Sequence, residues 1–209
     1  MLVYHFVNAE YGLQNIRKRR LKVATIMELN DPFEFLGVTL ADRDFRRALR
    51  STKQELSEIA GIVCFSATWQ NPVQWGHYAD RYRGLCLGFE VPDSWLEPVV
   101  YVTERFPIPE VLDQDFMRKI IATKFAHWSY EQEYRAWVKL DEKTDGLYFV
   151  DFSDQLKLVS VMVGDQSPVT RAELADALGD EYKDVKRFKT RPAFRSFEVV
   201  QQLDETKWT

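Results

Sequence analysis

The sequence predicts an α+β fold, because helical and strand patterns are intermixed without the regular strand–helix–strand alternation of a parallel sheet. Short apolar or alternating runs with strand character recur along the 209 residues, and segments with apolar residues at helical spacing lie between them. No repeat or long linker divides the chain. We therefore expect a single domain, residues 1–209, with a core of about residues 1–165 and a C-terminal helix and strands, 166–209, that complete the sheet.

In the first half, two start and stop signals define helices. Gly61 ends a segment that carries apolar residues at helical spacing, and Asn71 with Pro72 forms a helix start, with Asn as the N-cap and Pro in the first turn. The predicted helices are 10–19, 42–60 and the segment that begins at Asn71-Pro72. The predicted strands are 2–7, 21–27, 62–66 and 84–91.

In the second half, a helix is predicted over 108–127, with Leu112, Phe116 and Ile120 facing inward. A capping box at Thr170 begins a short helix that Gly179 stops. The predicted strands are 99–103, 134–140, 147–152, 156–163, 185–189 and 197–203.

Composition restricts the class of protein. The net charge of −4 argues against a surface wholly committed to nucleic-acid phosphates. A basic cluster at residues 17–20 is either a solvated helix end or a phosphate-binding patch. Cys64 and Cys86 lie in apolar runs without CxxC spacing, as in a reduced, cytoplasmic protein. No apolar run reaches the roughly 20 residues of a membrane span, so we expect no membrane association.

The segment 128–137 is the most unusual part of the chain, with two carboxylates, one guanidinium and four aromatic rings in ten residues. If it is a strand, alternation places Glu131, Glu133, Arg135 and Trp137 on one face. Two interpretations follow. The face is either exposed, with a surface salt bridge of little energetic value, or it lines a cleft in which the charges have a task.

Further candidate residues lie in other elements. His5 is on the first strand, Ser66 ends a central strand, and Trp75 and Tyr78 share the aromatic side of the helix after Asn71. His5 and Tyr78 also have simpler interpretations as core residues. The 3 histidines have no metal-ligand spacing, so we expect no metal. The Walker, GxGxxG and GxSxG signatures are absent.

Five spaced motifs resemble a bacterial family called domain of unknown function 2971. They are Tyr4-His5-Phe6, Leu29-Asn30-Asp31-Pro32-Phe33-Glu34, Cys64-Phe65-Ser66, Trp75-Gly76-His77-Tyr78-Ala79-Asp80 and Trp128-Ser129-Tyr130-Glu131-Gln132-Glu133-Tyr134-Arg135. The resemblance covers most of the chain and is thinner after about residue 140. Phe6-Val7 departs from the Tyr-Thr that the family often has, and the family name discloses no function.

The order of the motifs is also similar, more distantly, to that of ADP-ribosyltransferases. This resemblance implies split mixed or antiparallel sheets flanked by helices, with NAD as the substrate and an unknown protein or nucleic acid as the acceptor. It implies that Glu133 stabilises the ribose cation and that Glu131 orients or deprotonates the acceptor. The residues it implies for NAD binding are His5, Ser66, Trp75, Tyr78 and Arg135.

Two other functions remain open at this stage. One is a non-catalytic module of the same fold that binds a nucleotide, a nucleic acid or a protein. The other is a metal-dependent nuclease or hydrolase in which Glu131, Glu133 and Asp31 surround Mg²⁺. Salt-dependent binding would point to the first and sensitivity to a chelator to the second.

Overall fold

A computed structural model describes residues 1–111 and 113–209 and confirms the α+β class. The helices are α1 Ala9–Lys18, α2 Arg43–Ile59, α3 Pro72–Tyr78, α4 Gln114–Ile121 and α5 Arg171–Leu178. The strands are β1 Leu2–Val7, β2 Arg20–Thr25, β3 Ala60–Ser66, β4 Leu85–Glu90, β5 Glu97–Pro98, β6 Val100–Val102, β7 Thr123–Phe125, β8 Glu133–Lys139, β9 Tyr148–Asp151, β10 Lys157–Val163, β11 Lys186–Pro192 and β12 Val199–Gln201. Among the residues described, no helix is long and apolar enough to cross a membrane.

The chain folds into two compact units. The first, unit 1, contains Met1–Leu21, Phe65–Asp93 and Val150–Thr209, and the second, unit 2, contains Lys22–Cys64 and Ser94–Phe149. The expectation of a single domain, in which the helix and strands of residues 166–209 complete the sheet, stays a prediction.

Unit 1 is built on a mixed sheet with the strand order β12-β11-β10-β4-β1. Strands β10 and β11 are parallel and the other pairs are antiparallel. Ser66, at the end of β3, pairs with Tyr4 of β1. The hydrophobic core of this unit is centred on Trp75, Ala79, Cys86, Met162, Phe188 and Val199. The alternating apolar pattern of the predicted strand 84–91 is therefore that of a central strand, β4.

The basic cluster at residues 17–20 stabilises helix ends. Arg19 has left-handed backbone geometry at the C-cap of α1, with φ of 52°. Its guanidinium donates to the carbonyl of Ala177 at 3.0 Å and to that of Leu178 at 2.5 Å, in the last turn of α5. Arg17 pairs with Asp176 at 3.3 Å. A cation at a helix C-terminus is favoured by the helix dipole, so the helix-end interpretation accounts for these two arginines.

Unit 2 contains sheet strands, of which the β2–β3 and β5–β8 pairs are antiparallel, and a two-stranded parallel ribbon. Strand β3 pairs with β2 and β8, and β8 pairs with β5. Strands β6 and β7 form the ribbon. The core of this unit contains Ile26, Phe35, Val38, Leu49, Ile62 and Ile120.

The predicted helix over 108–127 is wrong in its length. Helix α4 covers only Gln114–Ile121 and is followed by β7 and a 3-10 helix, Ala126–Glu131. Ile120 is completely buried as predicted, and Phe116 packs against the core. Leu112 lies outside the described residues.

Candidate functional site

Unit 2 contains a cluster of buried charges that comprises three carboxylates and two cations. Its members are Glu34, Lys124, Glu131, Glu133 and Arg135, and none of them is more than 8% exposed. They come from four places in the chain: the turn that follows Asn30, strand β7, the end of the 3-10 helix, and strand β8. The interpretation of an exposed strand face with a surface salt bridge is therefore wrong.

Arg135 is the hub of this charge cluster. Its Nε lies 2.9 Å from Glu133 Oε1 and its Nη2 lies 3.2 Å from Glu133 Oε2, which is a bidentate pair. Its Nη1 donates to the carbonyl oxygen of Ile121 at 2.7 Å. The same Nη1 lies 2.7 Å from Glu34 Oε1, so Arg135 also forms an ion pair with a second buried carboxylate.

Lys124 joins the two acids that the sequence singles out. Its Nζ lies 2.5 Å from Glu131 Oε2 and 3.1 Å from Glu133 Oε2. It also lies 4.8 Å from the centre of the Trp128 ring. Lys124 thus bridges a pair of carboxylates that would otherwise repel each other in a poorly hydrated place.

Glu131 and Glu133 do not share a strand face, which corrects the sequence-based expectation. Glu131 ends the 3-10 helix, and Gln132 adopts a left-handed conformation with φ of 44° before β8 begins at Glu133. A residue in that conformation breaks the two-residue alternation on which the expectation rested. The two carboxylates meet because both contact Lys124. Glu133 and Arg135 do lie on the same face of β8.

The ionisation of the acids differs within the cluster. Burial opposes the charge of Glu133, but Arg135 and Lys124 outweigh it and lower the pKa of this carboxyl. For Glu34, burial is the larger effect and raises the pKa despite the nearby Arg135. Burial likewise opposes the charge of Lys124, yet Glu133 and Glu131 raise its pKa. Glu133 and Lys124 are therefore held in their charged forms.

Two neutral groups complete the surroundings of Glu133. The Tyr101 hydroxyl accepts a hydrogen bond from the backbone N–H of Glu133 at 2.8 Å, and burial raises the pKa of Tyr101 to about 12. Burial, and next the charge of Glu133, raises the pKa of the Cys64 thiol well above its ordinary value. A protonated thiol can donate a hydrogen bond, and Cys64 does so to Glu133.

Lys124 also lines a cavity of about 270 Å³. The lining residues of this Lys124 cavity come from three segments of unit 2: Phe33, Leu36, Gly37, Val102, Thr103, Glu104, Arg105, Thr123, Lys124 and Phe125. The walls are mainly apolar, and the Arg105 guanidinium lies 5.4 Å from the centre of the Phe33 ring. A Cβ on Gly37 would approach Thr123 Cγ2 to 3.3 Å, so a side chain there would crowd the wall.

Sequence reasoning missed four members of this site: Glu34, Lys124, Tyr101 and Cys64. Glu34 follows a recognisable turn, in which Asp31 Oδ1 accepts from the N–H of Phe33 at 2.9 Å. Its position beside Arg135 depends on a contact across a hundred residues of sequence. Lys124 was the one charged residue in the short run 120–126, which was a usable signal of a buried cation.

The remaining predicted residues lie in unit 1. His5 is half-buried on β1, with its ring edge-on to Phe65 at 6.1 Å between centroids. Ser66 is buried, and its Oγ donates to the carbonyl of Thr68 at 2.9 Å and accepts from Gln74 Nε2 at 2.9 Å. Ser66 thus holds the chain as it leaves β3 for α3, which is a structural role.

Trp75 and Tyr78 of α3 differ in accessibility. Trp75 is 0% exposed and its Nε1 donates to the carbonyl of Trp69 at 2.6 Å. Phe6 also packs edge-on against it, so the ring is enclosed by protein. The assignment of Trp75 to cofactor binding stays a prediction. Tyr78 is half-buried at the end of the helix and contacts His77 edge-on.

The predicted site residues are thus divided between the two units. His5, Ser66, Trp75 and Tyr78 belong to unit 1, whereas Glu131, Glu133 and Arg135 belong to unit 2. A shared NAD site stays a prediction. Across residues 1–111 and 113–209, no group of three or more His, Cys, Asp or Glu side chains is arranged to hold a metal ion.

Comparisons with protein-family models, curated proteins and solved structures found no match to this chain.

Proposed function

We propose that this chain is an ADP-ribosyltransferase-like enzyme that uses NAD as its substrate, with Glu133 stabilising the ribose cation. The observation that carries the proposal is that Glu133 is buried and nevertheless has a lowered pKa, so that it keeps its negative charge where little water is present. A fixed carboxylate in such a place stabilises developing positive charge more than a hydrated one does. The motif order of the sequence is the second support.

The bond that breaks joins C1′ of the ribose to the nicotinamide nitrogen. Its electron pair leaves with nicotinamide, which becomes neutral, and positive charge develops on the ribose. Glu133 holds the ribose 2′-hydroxyl and stabilises this charge. A nucleophile on the acceptor then forms the new bond to C1′ and gives its proton to Glu131.

Substrate binding has to open one position on Glu133, since a carboxylate has only about four acceptor sites. Lys124 can leave Glu133 and keep a counter-charge, because its contact with Glu131 at 2.5 Å is shorter than its contact with Glu133 at 3.1 Å. A ribose hydroxyl that replaces Lys124 also leaves the negative charge of Glu133 less compensated. Arg135 keeps the carboxylate in position through its bidentate contact.

The Lys124 cavity is the approach that we assign to the substrate, because Lys124 both lines it and contacts Glu133, which is not itself a lining residue. Its volume of about 270 Å³ lies just below the roughly 300–1,000 Å³ of typical ligand pockets. It is large enough for one end of a dinucleotide and too small for the whole. We assign the nicotinamide end to this cavity, where the apolar walls suit an aromatic ring.

The test compares Glu133→Gln with Glu34→Gln, since both carboxylates contact Arg135 and both are buried. The assay follows nicotinamide release from NAD, with and without cell extract as a source of acceptor. We expect Glu133→Gln to lower the rate by a factor on the order of 100 or more and Glu34→Gln to change it far less. Thermal unfolding of both variants checks that each remains folded at the assay temperature.

A wild-type protein that leaves NAD intact under both conditions refutes the proposal. So does a Glu133→Gln variant that is folded and as active as the wild type.

A second function has one observation in its favour, which is that the oxygens of Glu133 are already engaged by Arg135, Lys124 and Cys64. A carboxylate with this many partners is typical of a structural ion cluster. The corresponding function is a non-catalytic module that binds a nucleotide, nucleic acid or protein. Calorimetric binding of NAD without turnover, and with the same affinity in Glu133→Gln, identifies this case.

A further inference from the structure

The hairpin between β11 and β12 exposes two aromatic rings. Phe194 is 88% exposed and Phe197 is 98% exposed, and they lie three residues apart in a tight connection closed by a hydrogen bond from Ala193 N to Glu198 O. Val199 N donates to the carbonyl of Gln70 at 2.8 Å, which fixes the hairpin to the body of unit 1. Two rings in solvent on a fixed loop form a surface that suits a partner.

The two rings border a groove of about 560 Å³. Its lining contains a third ring, Tyr82, and two prolines, Pro72 and Pro192. The hydroxyl of Tyr82 donates to the carbonyl of Pro72 at 2.8 Å, so this wall of the groove is held in place. A concave surface lined by rings accepts planar groups by stacking.

The strand and hairpin that carry this groove are basic, although the groove lining itself contains one cation, Arg195, and one anion, Glu198. Residues 186–198 contain five basic side chains and one acidic side chain in a protein whose net charge is −4. Alternation along β11 places Arg187 and Arg191 on one face, four residues and so about 13 Å apart. Arg191 stacks on Phe194 at 4.2 Å, and Arg195 is exposed in the hairpin. Three cations of the strand also donate to a backbone carbonyl: Lys189 to Ser167 at 2.7 Å, Arg187 to Lys183 at 3.3 Å and Arg191 to Pro192 at 2.9 Å. The two guanidinium groups have more N–H donors than the ammonium group and so keep more of them for a phosphate.

We propose that this aromatic groove of unit 1, lined by Tyr82, Phe194 and Phe197, binds single-stranded nucleic acid. Proteins that bind single strands without sequence preference combine a basic track for the phosphates with rings on which bases stack. Arg187, Arg191 and Arg195 supply the track, and the rings supply the stacking surface. A membrane surface fits this site less well, because a planar bilayer does not fill a groove and does not require cations arranged in a line along a strand. None of these residues is among those assigned to NAD binding or catalysis, so the proposal stands apart from the NAD chemistry.

The experiment measures fluorescence anisotropy of a labelled 15-nucleotide oligo(dT) titrated with the full-length protein. We expect binding that is tighter than to a duplex of the same length. Neutralising three phosphates predicts a slope of roughly −2 for log K against log salt, at about 0.7 per phosphate. The double variant F194A/F197A should bind at least tenfold more weakly, since each stacked base contributes about a factor of ten.

Matched charge reversals separate the groove from general electrostatics. Arg195→Glu should weaken oligonucleotide binding at least tenfold, because it removes a phosphate contact. Arg17→Glu, an equal change of charge on α1, removes no such contact and should weaken binding at most about threefold. Both side chains are exposed, and the pair that Arg17 makes with Asp176 is an exposed one of little energetic value. Circular dichroism and thermal unfolding check that both variants remain folded.

Three results would overturn the proposal. One is no change in anisotropy at 50 mM salt with excess protein. Another is oligonucleotide binding that F194A/F197A leaves unchanged. The third is sedimentation with phosphatidylserine-containing vesicles that requires the two phenylalanines, in a protein that leaves the oligonucleotide unbound.

Discussion

Replacing Lys124 by Met tests whether the buried charges of unit 2 form one mutually dependent cluster. The substitution keeps most of the length and apolar volume of the side chain but removes the ammonium group, which lies 2.5 Å from Glu131 and 3.1 Å from Glu133. Glu133 keeps Arg135. Glu131 loses the ammonium group of Lys124 while it remains only 6% exposed.

The size of the destabilisation depends on the carboxylate that stays buried after the ammonium group is removed. Breaking a buried ion pair by removing one partner costs about 3–5 kcal/mol, because the remaining carboxylate is still out of water and no longer faces that opposite charge. For a chain of this size we expect the melting temperature to fall by roughly 2–4 °C per kcal/mol, or about 6–20 °C in total. Urea unfolding of wild type and variant, followed by circular dichroism and by tryptophan fluorescence, measures the change in free energy of unfolding.

Lys139→Met is the matched control. Lys139 makes an ion pair of 2.8 Å with Asp141, but the two side chains are 82% and 67% exposed. Exposed pairs of this kind contribute about 0–1 kcal/mol. If the two lysine variants differ by less than 1 kcal/mol, the account of a mutually dependent buried cluster is wrong.

The pH dependence of Lys124→Met gives a second check. The lowered pKa of Glu133 means that its contribution to stability is present above the ordinary glutamate pKa, about 4.3, and is lost as the pH falls through the folded-state value. The variant removes a cation that stabilises ionised carboxylates. Its destabilisation should therefore be largest near pH 7 and should shrink below about pH 4, and a destabilisation independent of pH would contradict this reasoning.

Two further predictions follow from the described contacts. Burial raises the pKa of Glu34, so its ionisation costs stability as the pH rises. Glu34→Gln should therefore gain stability relative to the wild type when the pH is raised from 4 to 7. If the difference in free energy of unfolding between the two proteins is the same at both pH values, this prediction is wrong. Gly84→Ala should unfold or strongly destabilise the protein, because its Cβ would lie 2.1 Å from the carbonyl oxygen of Val7. The Cβ of Gly76→Ala in α3 would have no atom within 4 Å, and this variant should stabilise the protein by about 0.5–1 kcal/mol. Melting temperatures of the two variants that move in the same direction would contradict this pair of predictions.

Local signals predicted several elements well. Helix α5 begins at Thr170, where the Oγ accepts from Glu173 N at 3.1 Å and Glu173 Oε2 accepts from Thr170 N at 2.9 Å. This is the capping box read from four residues of sequence. Helix α3 likewise begins at Asn71, whose side chain accepts from Val73 N. Caps are predictable because all their partners lie within one turn.

The long helix predicted after residue 108 failed for the opposite reason. Apolar residues at helical spacing continue to residue 120, but the next residues form β7, which pairs with β6 more than twenty residues earlier in the chain. Tertiary pairing overrode a weak local preference. The same 3-10 helix and left-handed Gln132 that follow β7 removed Glu131 from the strand face on which periodicity had placed it.

By itself, the sequence determined the α+β class, most of the strands, the capped helices and the unusual density of charge and rings at 128–137. Only the tertiary structure decided that these charges are buried and which groups compensate them. Lys124 lies seven and nine residues from its acids and Glu34 lies a hundred residues from Arg135, so no local pattern specifies these pairs. The physical reason is that a charged residue leaves water only when the whole fold supplies a counter-charge, and that requirement is met in three dimensions.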